Sequence, residues 1–219
     1  MTSRPKQAEP RPQPRLYLVT PPIEDAQSFA APLAAALAAG DTAAVLLRLA
    51  PSDERTLINR VKALAGTVQS AGAALVLDGH AGLVARAGAD GAHLADLEAF
   101  NDALDTLKPD RIAGCGGLVT RHDAMLAAER GADYVMFGEP EASGRRPGFP
   151  AIEERVAWWA EVFEAPCVAY AGALEEVAPL AKAGADFIAL GDFVWSAPEA
   201  VATTVAEAAR LMRLTEPAA

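Results

Sequence analysis

The chain has 219 residues, of which 52% are hydrophobic and 22% are charged, and this composition supplies a core for one globular domain and excludes a largely disordered chain. A formal net charge of −10 opposes general binding to nucleic acid, which depends on many Lys and Arg contacts to phosphate. Two cysteines, Cys115 and Cys167, are too few for a disulfide framework and fit a reducing cytoplasm.

The first 14 residues contain four prolines and several charges, and we expect them to form a flexible tail. They lack the apolar stretch of a secretory signal. No later segment approaches the roughly 18 uncharged apolar residues that a membrane-spanning helix needs. The expectation is therefore a disordered tail at 1–14 and a single cytoplasmic domain at 15–214, with neither a nucleic acid nor a membrane as partner.

From Leu16 onward, short apolar segments alternate with longer, alanine-rich segments. The short segments predict strands at 16–20, 43–49, 74–78, 91–94, 111–114, 134–137, 166–170 and 187–190. The longer segments predict helices at 26–39, 53–71, 97–107, 152–163, 175–183 and 198–212, with two more ending at 87 and 130. Ser52 and Thr120 are expected to cap the second and fifth helices. The junction Gly-Ala-Asp recurs before three strands, at 88–90, 131–133 and 184–186.

Eight strands alternating with eight helices predict an α/β fold, a (β/α)8 TIM barrel that leaves no exposed sheet edge. The alternative is an open doubly wound sheet. It is less favoured because no Gly-x-Gly-x-x-Gly turn follows the first strand. In a barrel of this kind the active site lies at the C-terminal ends of the strands.

Acidic and histidine side chains follow the third and fourth predicted strands, and they are candidate bases and metal ligands. Asp78 and Glu98 could hold Mg²⁺, which prefers oxygen ligands. His80 lies beside Asp78, whereas His93 is inside an apolar strand and is expected to be a hydrogen-bonded structural histidine. Asp96 is equally consistent with a cap of the following helix.

Glycines and arginines near the ends of later strands are candidate phosphate ligands. Gly172 and Gly191 follow the seventh and eighth strands, where such barrels often bind phosphate through backbone N–H groups. The other interpretation, given equal weight, is that these glycines only turn the chain. Arg145 and Arg146, in the irregular segment 138–150, could form a phosphate clamp or a solvated loop tip. Cys115 is expected to be a small buried residue.

The segments Leu16-Tyr17-Leu18-Val19-Thr20, 89–94, 131–135 and 184–186 occur in an order that resembles the thiamine phosphate synthase family over residues 16–214. Members of that family join hydroxymethylpyrimidine diphosphate to a thiazole phosphate, giving thiamine phosphate and pyrophosphate. The resemblance implies phosphorylated pyrimidine and thiazole substrates and Mg²⁺ on the departing diphosphate. It also implies a mechanism that depends on positioning and charge stabilisation.

The family's motifs are only partly present. At the second strand Arg48 alone remains of Gln-x-Arg-x-Lys, and the Asn-Asp after the third strand reads Asp78-Gly79. Glu98, after the fourth strand, could replace the family's second carboxylate. The family's Thr-x-Thr-Lys loop corresponds to Ser143-Gly144-Arg145-Arg146, and its Gly-Gly after the seventh strand corresponds to Ala171-Gly172. The predicted catalytic residues are Arg48 and Arg146, the metal ligands are Asp78 and Glu98, and the substrate or phosphate ligands are Arg48, Asp78, His80, Gly116, Arg145, Arg146, Gly172 and Gly191.

The family donors missing at Leu46, Ala50 and Gly79 keep two alternatives open. One is a thiazole tautomerase, whose relatives carry a histidine base after the fifth strand; here only His122 lies nearby, a few residues late. The other is a noncatalytic barrel that binds a phosphorylated metabolite. The apolar, alanine-rich helices also leave room for a homo-oligomer interface.

Overall fold

The computed structural model describes residues 12–141 and 143–214, so most of the predicted tail, 1–11, lies outside the described residues. The strands are β1 Arg15–Val19, β2 Thr42–Leu47, β3 Ala74–Asp78, β4 Gly91–Leu94, β5 Ile112–Cys115, β6 Tyr134–Phe137, β7 Cys167–Ala171 and β8 Phe187–Leu190. The α-helices are α1 Ala26–Ala39, α2 Glu54–Ser70, α3 Val84–Ala87, α4 Leu97–Leu107, α5 Arg121–Glu129, α6 Phe149–Val162, α7 Val177–Lys182 and α8 Val201–Arg213.

The eight strands form one closed, parallel barrel in sequence order, with β8 pairing with β1. The predicted (β/α)8 barrel is confirmed, and the open doubly wound sheet is wrong for this chain. Because all strands are parallel, their C-terminal ends lie at one rim. Among the described residues, no helix combines the length and hydropathy that crossing a membrane requires.

The recurring Gly-Ala-Asp junction has a structural role at each of its three positions. The carboxylate of Asp90 accepts the backbone N–H of Leu75 at 2.7 Å, at the start of the preceding strand. Asp133 does the same for Ala113 at 2.7 Å, and Asp186 for Cys167 at 2.8 Å. Each aspartate therefore supplies an acceptor to a backbone donor at the bottom of the barrel, far from the rim that carries chemistry.

Aspartate and threonine side chains cap the N-termini of several helices. Asp53, and not the predicted Ser52, caps α2 by accepting the Thr56 N–H at 3.0 Å, because Asp53 directly precedes the first helical residue. Thr120 caps α5 as predicted, in a reciprocal capping box with Asp123. Asp96 caps α4, accepting the Ala99 N–H at 2.8 Å, so the capping interpretation of Asp96 is confirmed.

Two apolar layers hold the barrel together. The outer layer packs the helices on the strands and includes Trp159, fully buried, whose indole N–H donates to the Ala165 carbonyl at 2.7 Å. The inner layer fills the barrel with alternate strand residues: Tyr17, Val19, Ala44, Leu46, Val76, Tyr134, Met136, Val168, Tyr170 and Ala189. The upper members of this inner layer form the floor of the site described next.

Candidate active site

A cavity of about 760 Å³ opens at the C-terminal rim of the barrel. Its lining residues are Val19, Leu46, Arg48, Asp78, His93, Ala95, Gly117, Val119, Met136, Glu139, Pro140, Glu141, Gly144, Tyr170 and Asp192. Apolar side chains and one tyrosine ring share the wall with charged groups from β2, β3, β4, β6 and β8 or the turns that follow them. A concave wall that combines apolar surface with a few charged groups is typical of a small-molecule site.

Arg48 directly follows β2 and is held by groups of its own chain. Its Nε donates to the Thr20 carbonyl, and its Nη2 donates to the carboxylate of Asp192, which opens the short 3-10 helix after β8. The backbone N–H of Arg48 donates to the Thr20 hydroxyl at 3.1 Å. Arg48 is therefore a fixed cation in the cavity wall whose charge Asp192 already balances.

Arg146 points inward, and its guanidinium uses all three nitrogens. Nη1 donates to both carboxylate oxygens of Glu176, at 3.1 and 2.9 Å, while Nη2 donates to the Tyr170 carbonyl and Nε to the Gly138 carbonyl. Glu176 also accepts the backbone N–H of Gly172 at 2.7 Å. A phosphate bound to Gly172 and Arg146 would have to displace this carboxylate.

The other predicted glycine and arginine ligands have different surroundings. Gly191 donates its backbone N–H to the Ala171 carbonyl at 3.1 Å, and a Cβ at Gly191 would overlap the Tyr170 hydroxyl. Close approach therefore explains this glycine. Arg145 is exposed and pairs with Glu141 at 3.0 Å across one loop turn. Of the two loop arginines, only Arg146 belongs to the barrel rim.

A chain of hydrogen bonds connects the cavity to the barrel interior. The Tyr17 and Tyr134 hydroxyls are 2.7 Å apart, and the Tyr134 hydroxyl is 3.0 Å from Nδ1 of His93. Nε2 of His93 lies 3.0 Å from the Glu139 carboxylate, which also accepts the backbone N–H of Gly117. His93 is a buried, hydrogen-bonded histidine, as predicted, but its partner Glu139 opens into the cavity.

Gly116, predicted as a substrate ligand, makes room for this chain of contacts. A Cβ at Gly116 would overlap both the Glu139 carboxylate and the ring of His93. Glu139 was not among the predicted site residues, because it matches none of the family motifs that selected them. Its position was available, since Glu139 comes two residues after β6 ends, where barrel chemistry is expected.

Burial and neighbouring charges shift the pKa values of several of these groups. Burial lowers the pKa of His93, but the charge and hydrogen bond of Glu139, with the charge of Asp78, outweigh it, so the pKa lies above 6.5. Burial raises the pKa of Asp78. The charge of Glu139 raises it further, whereas His93 and Arg48 lower it. Burial is also the main cause of the raised pKa of Cys115, about 12, which confirms a small buried residue rather than a reactive thiol.

Several predicted residues do not reach the cavity. Glu98 is exposed in the first turn of α4, and His80 lines a separate, more open pocket of about 530 Å³ beside α4. His122, the late histidine after β5, is exposed on α5. Within residues 12–141 and 143–214, no group of three or more His, Cys, Asp or Glu side chains could hold a metal ion. Of the two predicted magnesium ligands, Asp78 lines the cavity and could supply one carboxylate, whereas Glu98 does not.

The structure thus brings Arg48 and Asp78 into the lining of one cavity. It places Arg146 and Gly172 together just after β7, where both donate to Glu176, but neither of these two residues is part of that lining. It does not bring Glu98, His80 or Arg145 to them. The additional charged groups in the wall are Asp192, His93, Glu139 and Glu141. The site combines fixed arginines, an apolar wall and an acidic inner face.

Comparison with known proteins identifies the family. The profile of thiamine monophosphate synthases matches residues 16–194. The chain is 43% identical over 202 residues to the thiamine-phosphate synthase of Rhodospirillum centenum, covering 91% of this chain and 98% of that protein. It is 38% identical over 206 residues to the enzyme of the same name from Hyphomonas neptunium, covering 90% and 93% of the two chains.

Solved structures agree on the fold. The thiamine phosphate pyrophosphorylase of Pyrococcus furiosus superposes with a TM-score of 0.74 at 21% identity, covering 93% of this chain and 97% of that one. The 3-hexulose-6-phosphate synthase of Salmonella typhimurium gives 0.69 at 17% identity, covering 92% and 100%. On the profile match and on the two sequence relatives, this chain belongs to the thiamine monophosphate synthase family.

Proposed function

We propose that this chain is a divergent thiamine phosphate synthase, a cytoplasmic transferase whose one domain, 15–214, condenses hydroxymethylpyrimidine diphosphate with thiazole phosphate. The products are thiamine phosphate and pyrophosphate. The observation that carries the proposal is that Arg48 and Asp78, each matching part of a family motif, line the same cavity. The near full-length similarity to named synthases supports it.

Arg48 is the residue we assign to the departing diphosphate. Its guanidinium is fixed by Thr20 and balanced by Asp192, so a phosphate group would exchange with the Asp192 carboxylate. The Asp192 side chain is 66% exposed and can turn into water at low cost. A cation that is already positioned stabilises the charge that develops on the leaving group without reorganising.

The remaining assignments complete the proposal. Arg146 and Gly172 would bind the thiazole phosphate after Glu176 yields, and the apolar wall of Val19, Leu46 and Met136 would hold the rings out of water. Mg²⁺, held by Asp78 and by substrate oxygens, would neutralise the diphosphate.

A noncatalytic barrel is the second candidate, and one observation favours it. Both arginines of the rim, Arg48 and Arg146, are paired with carboxylates of the chain itself. An inherited site that no longer handles phosphates would retain such pairs as structural contacts. Saturable ligand binding without product, at every Mg²⁺ concentration, would support this candidate.

The deciding experiment measures pyrophosphate release from the two substrates with Mg²⁺, with thiamine phosphate confirmed as the product. We expect turnover by the full chain and its loss in Arg48→Ala. The matched control is Arg130→Ala, which removes an exposed arginine at the end of α5. Folded protein that yields no product, or equal turnover by Arg48→Ala and the control, contradicts the proposed function.

A further inference from the structure

Glu139 is a carboxylate that the family motifs quoted above do not include, and each of its two oxygens has one hydrogen-bond partner within the chain. The Gly117 N–H and Nε2 of His93 hold its two oxygens. An ionised carboxylate has about four lone-pair positions, so two donors leave about half of its acceptor capacity unused. The side chain is 20% exposed and lines the cavity, and the unused capacity is therefore available to a ligand.

Among the described residues, two of the four carboxylates in the cavity wall form ion pairs with arginines. Asp192 is paired with Arg48, and Glu141 is paired with Arg145. The other two lining carboxylates are Asp78, which ends β3, and Glu139, which follows β6 and lies 3.0 Å from Nε2 of His93. The Glu139 carboxylate favours a group that is positively charged or carries N–H donors.

Apolar side chains share the cavity wall with these charged groups. They include Val19, Leu46 and Met136, from β1, β2 and β6. Such a surface accepts the face of an aromatic ring, whose edge then reaches the carboxylate. A cavity that combines this apolar surface with a carboxylate able to accept further hydrogen bonds fits a ring that carries N–H groups at its edge.

We propose that Glu139 binds the N–H edge of a nitrogen heteroaromatic ring and stabilises positive charge that develops on it. The identification of the ring as hydroxymethylpyrimidine rests on the proposed function. In that reaction the bond from the ring's methylene carbon to the diphosphate breaks, and its electron pair leaves with the diphosphate. The positive charge stays on the methylene and the ring until the thiazole nitrogen attacks, and Glu139 forms no covalent bond.

His93 is a positioning residue in this proposal. Its Nε2 fixes one carboxylate oxygen, and its own ring is fixed through Nδ1 by the Tyr134 hydroxyl. The space at Gly116 lets the two side chains meet. This support keeps the carboxylate at one place in the wall, as a group that stabilises a transition state requires.

The test compares binding of hydroxymethylpyrimidine, the ring without its diphosphate, to the full chain and to Glu139→Gln by calorimetry. Glutamine keeps the shape and one acceptor oxygen but removes the charge. We expect ring binding to weaken about tenfold or more, with the affinity for inorganic phosphate changed less than about twofold. Glu129→Gln, which removes an exposed charge at the end of α5, is the matched control and should bind the ring like the parent.

A second variant separates charge from folding. Glu139→Asp keeps the charge but shortens the side chain, and it should bind the ring more tightly than Glu139→Gln. Ring binding within about twofold of the parent in folded Glu139→Gln overturns the proposal, as does a parent chain that binds no ring.

Turnover provides an independent readout. If the parent makes thiamine phosphate, Glu139→Gln should lower kcat about 100-fold, the usual scale for one transition-state contact. Equal kcat in the two proteins refutes the role of Glu139 while leaving the synthase activity in place. Ring binding that depends on Glu139, in a chain that yields no product, refutes the synthase activity and supports the binding site.

Discussion

Replacing Glu176 by glutamine is expected to strengthen phosphate binding, although the change breaks an ion pair. The Glu176 carboxylate occupies both Arg146 Nη1 and the Gly172 N–H, the two donors assigned to the thiazole phosphate. A phosphate reaches these donors only by displacing it. Glutamine retains an acceptor for one donor but lacks the negative charge, so it is the weaker competitor.

The size of the effect follows from the contacts. The Arg146 and Glu176 side chains are 22% and 15% exposed, so the pair is largely shielded from water. A hydrogen bond to a charged group contributes about 1.5–3 kcal/mol net. Since about 1.4 kcal/mol is a factor of ten, phosphate affinity should rise roughly 10- to 100-fold. The free energy of unfolding should fall by a similar amount, about 1.5–3 kcal/mol, because Arg146 loses its charged partner.

The assay is calorimetric titration of inorganic phosphate and thiazole phosphate into the full chain, alongside thermal unfolding of each variant. Glu175→Gln removes the same charge one position earlier, at an exposed residue, and serves as the control. It should leave both affinities near the parent values. Unchanged or weaker phosphate binding by folded Glu176→Gln would show that Arg146 and Gly172 are not a phosphate site and that Glu176 is a structural contact.

Three further predictions test the fold and the site. Arg48→Ala should lower kcat about 100-fold or more in the pyrophosphate release assay while the circular dichroism spectrum stays unchanged; retained kcat would contradict its role. Asp90→Ala should lower the free energy of unfolding by about 1–3 kcal/mol, measured by urea titration, because the Leu75 N–H loses its acceptor. Glu139→Gln should lower the pKa of His93, measured by NMR, because the charge that opposes the effect of burial is removed. The parent pKa lies above the unfolded value of about 6.5, so the interaction with Glu139 stabilises the folded parent most when His93 is protonated. The difference in unfolding free energy between parent and variant should therefore be fully present below pH 6.5 and shrink as pH rises through the folded pKa.

The barrel could be predicted from sequence because its signals are local. A strand of four to six apolar residues and a junction such as Gly131-Ala132-Asp133 each report their own conformation. The predicted cap of α2, one residue away from the observed one, shows that such signals do not fix a helix boundary to a single residue. Ser52 and Asp53 are both good capping residues, and only the backbone geometry at Asp53, which directs its carboxylate to Thr56, distinguishes them.

For the site, the sequence could predict only which residues lie at the C-terminal ends of the strands. Arg48 and Asp78 follow β2 and close β3, so the barrel rule places them at the rim. That rule gives no information on pairing between distant elements: Arg48 meets Asp192 from 144 residues away, and Arg146 meets Glu176 from 30. Glu139 satisfied the rule and was still overlooked, because the family motifs, rather than the strand ends, selected the candidates.

The paired arginines also bear on how a diverged site could work. A free guanidinium must lose water when a phosphate arrives, whereas Arg146 is already desolvated and oriented by Glu176, Tyr170 and Gly138. When a phosphate replaces the Glu176 carboxylate, Arg146 does not have to lose water again, and the released carboxylate regains its hydration. Because a ligand must displace the Glu176 carboxylate, the site should select ligands whose negative charge exceeds that of a carboxylate. A phosphate dianion meets this condition and a simple carboxylate does not, so thiazole phosphate should bind far more tightly than an analogue that carries a carboxylate in place of the phosphate. In Glu176→Gln the competing charge is gone, so the affinity of the singly charged analogue should rise and the difference between the two ligands should narrow.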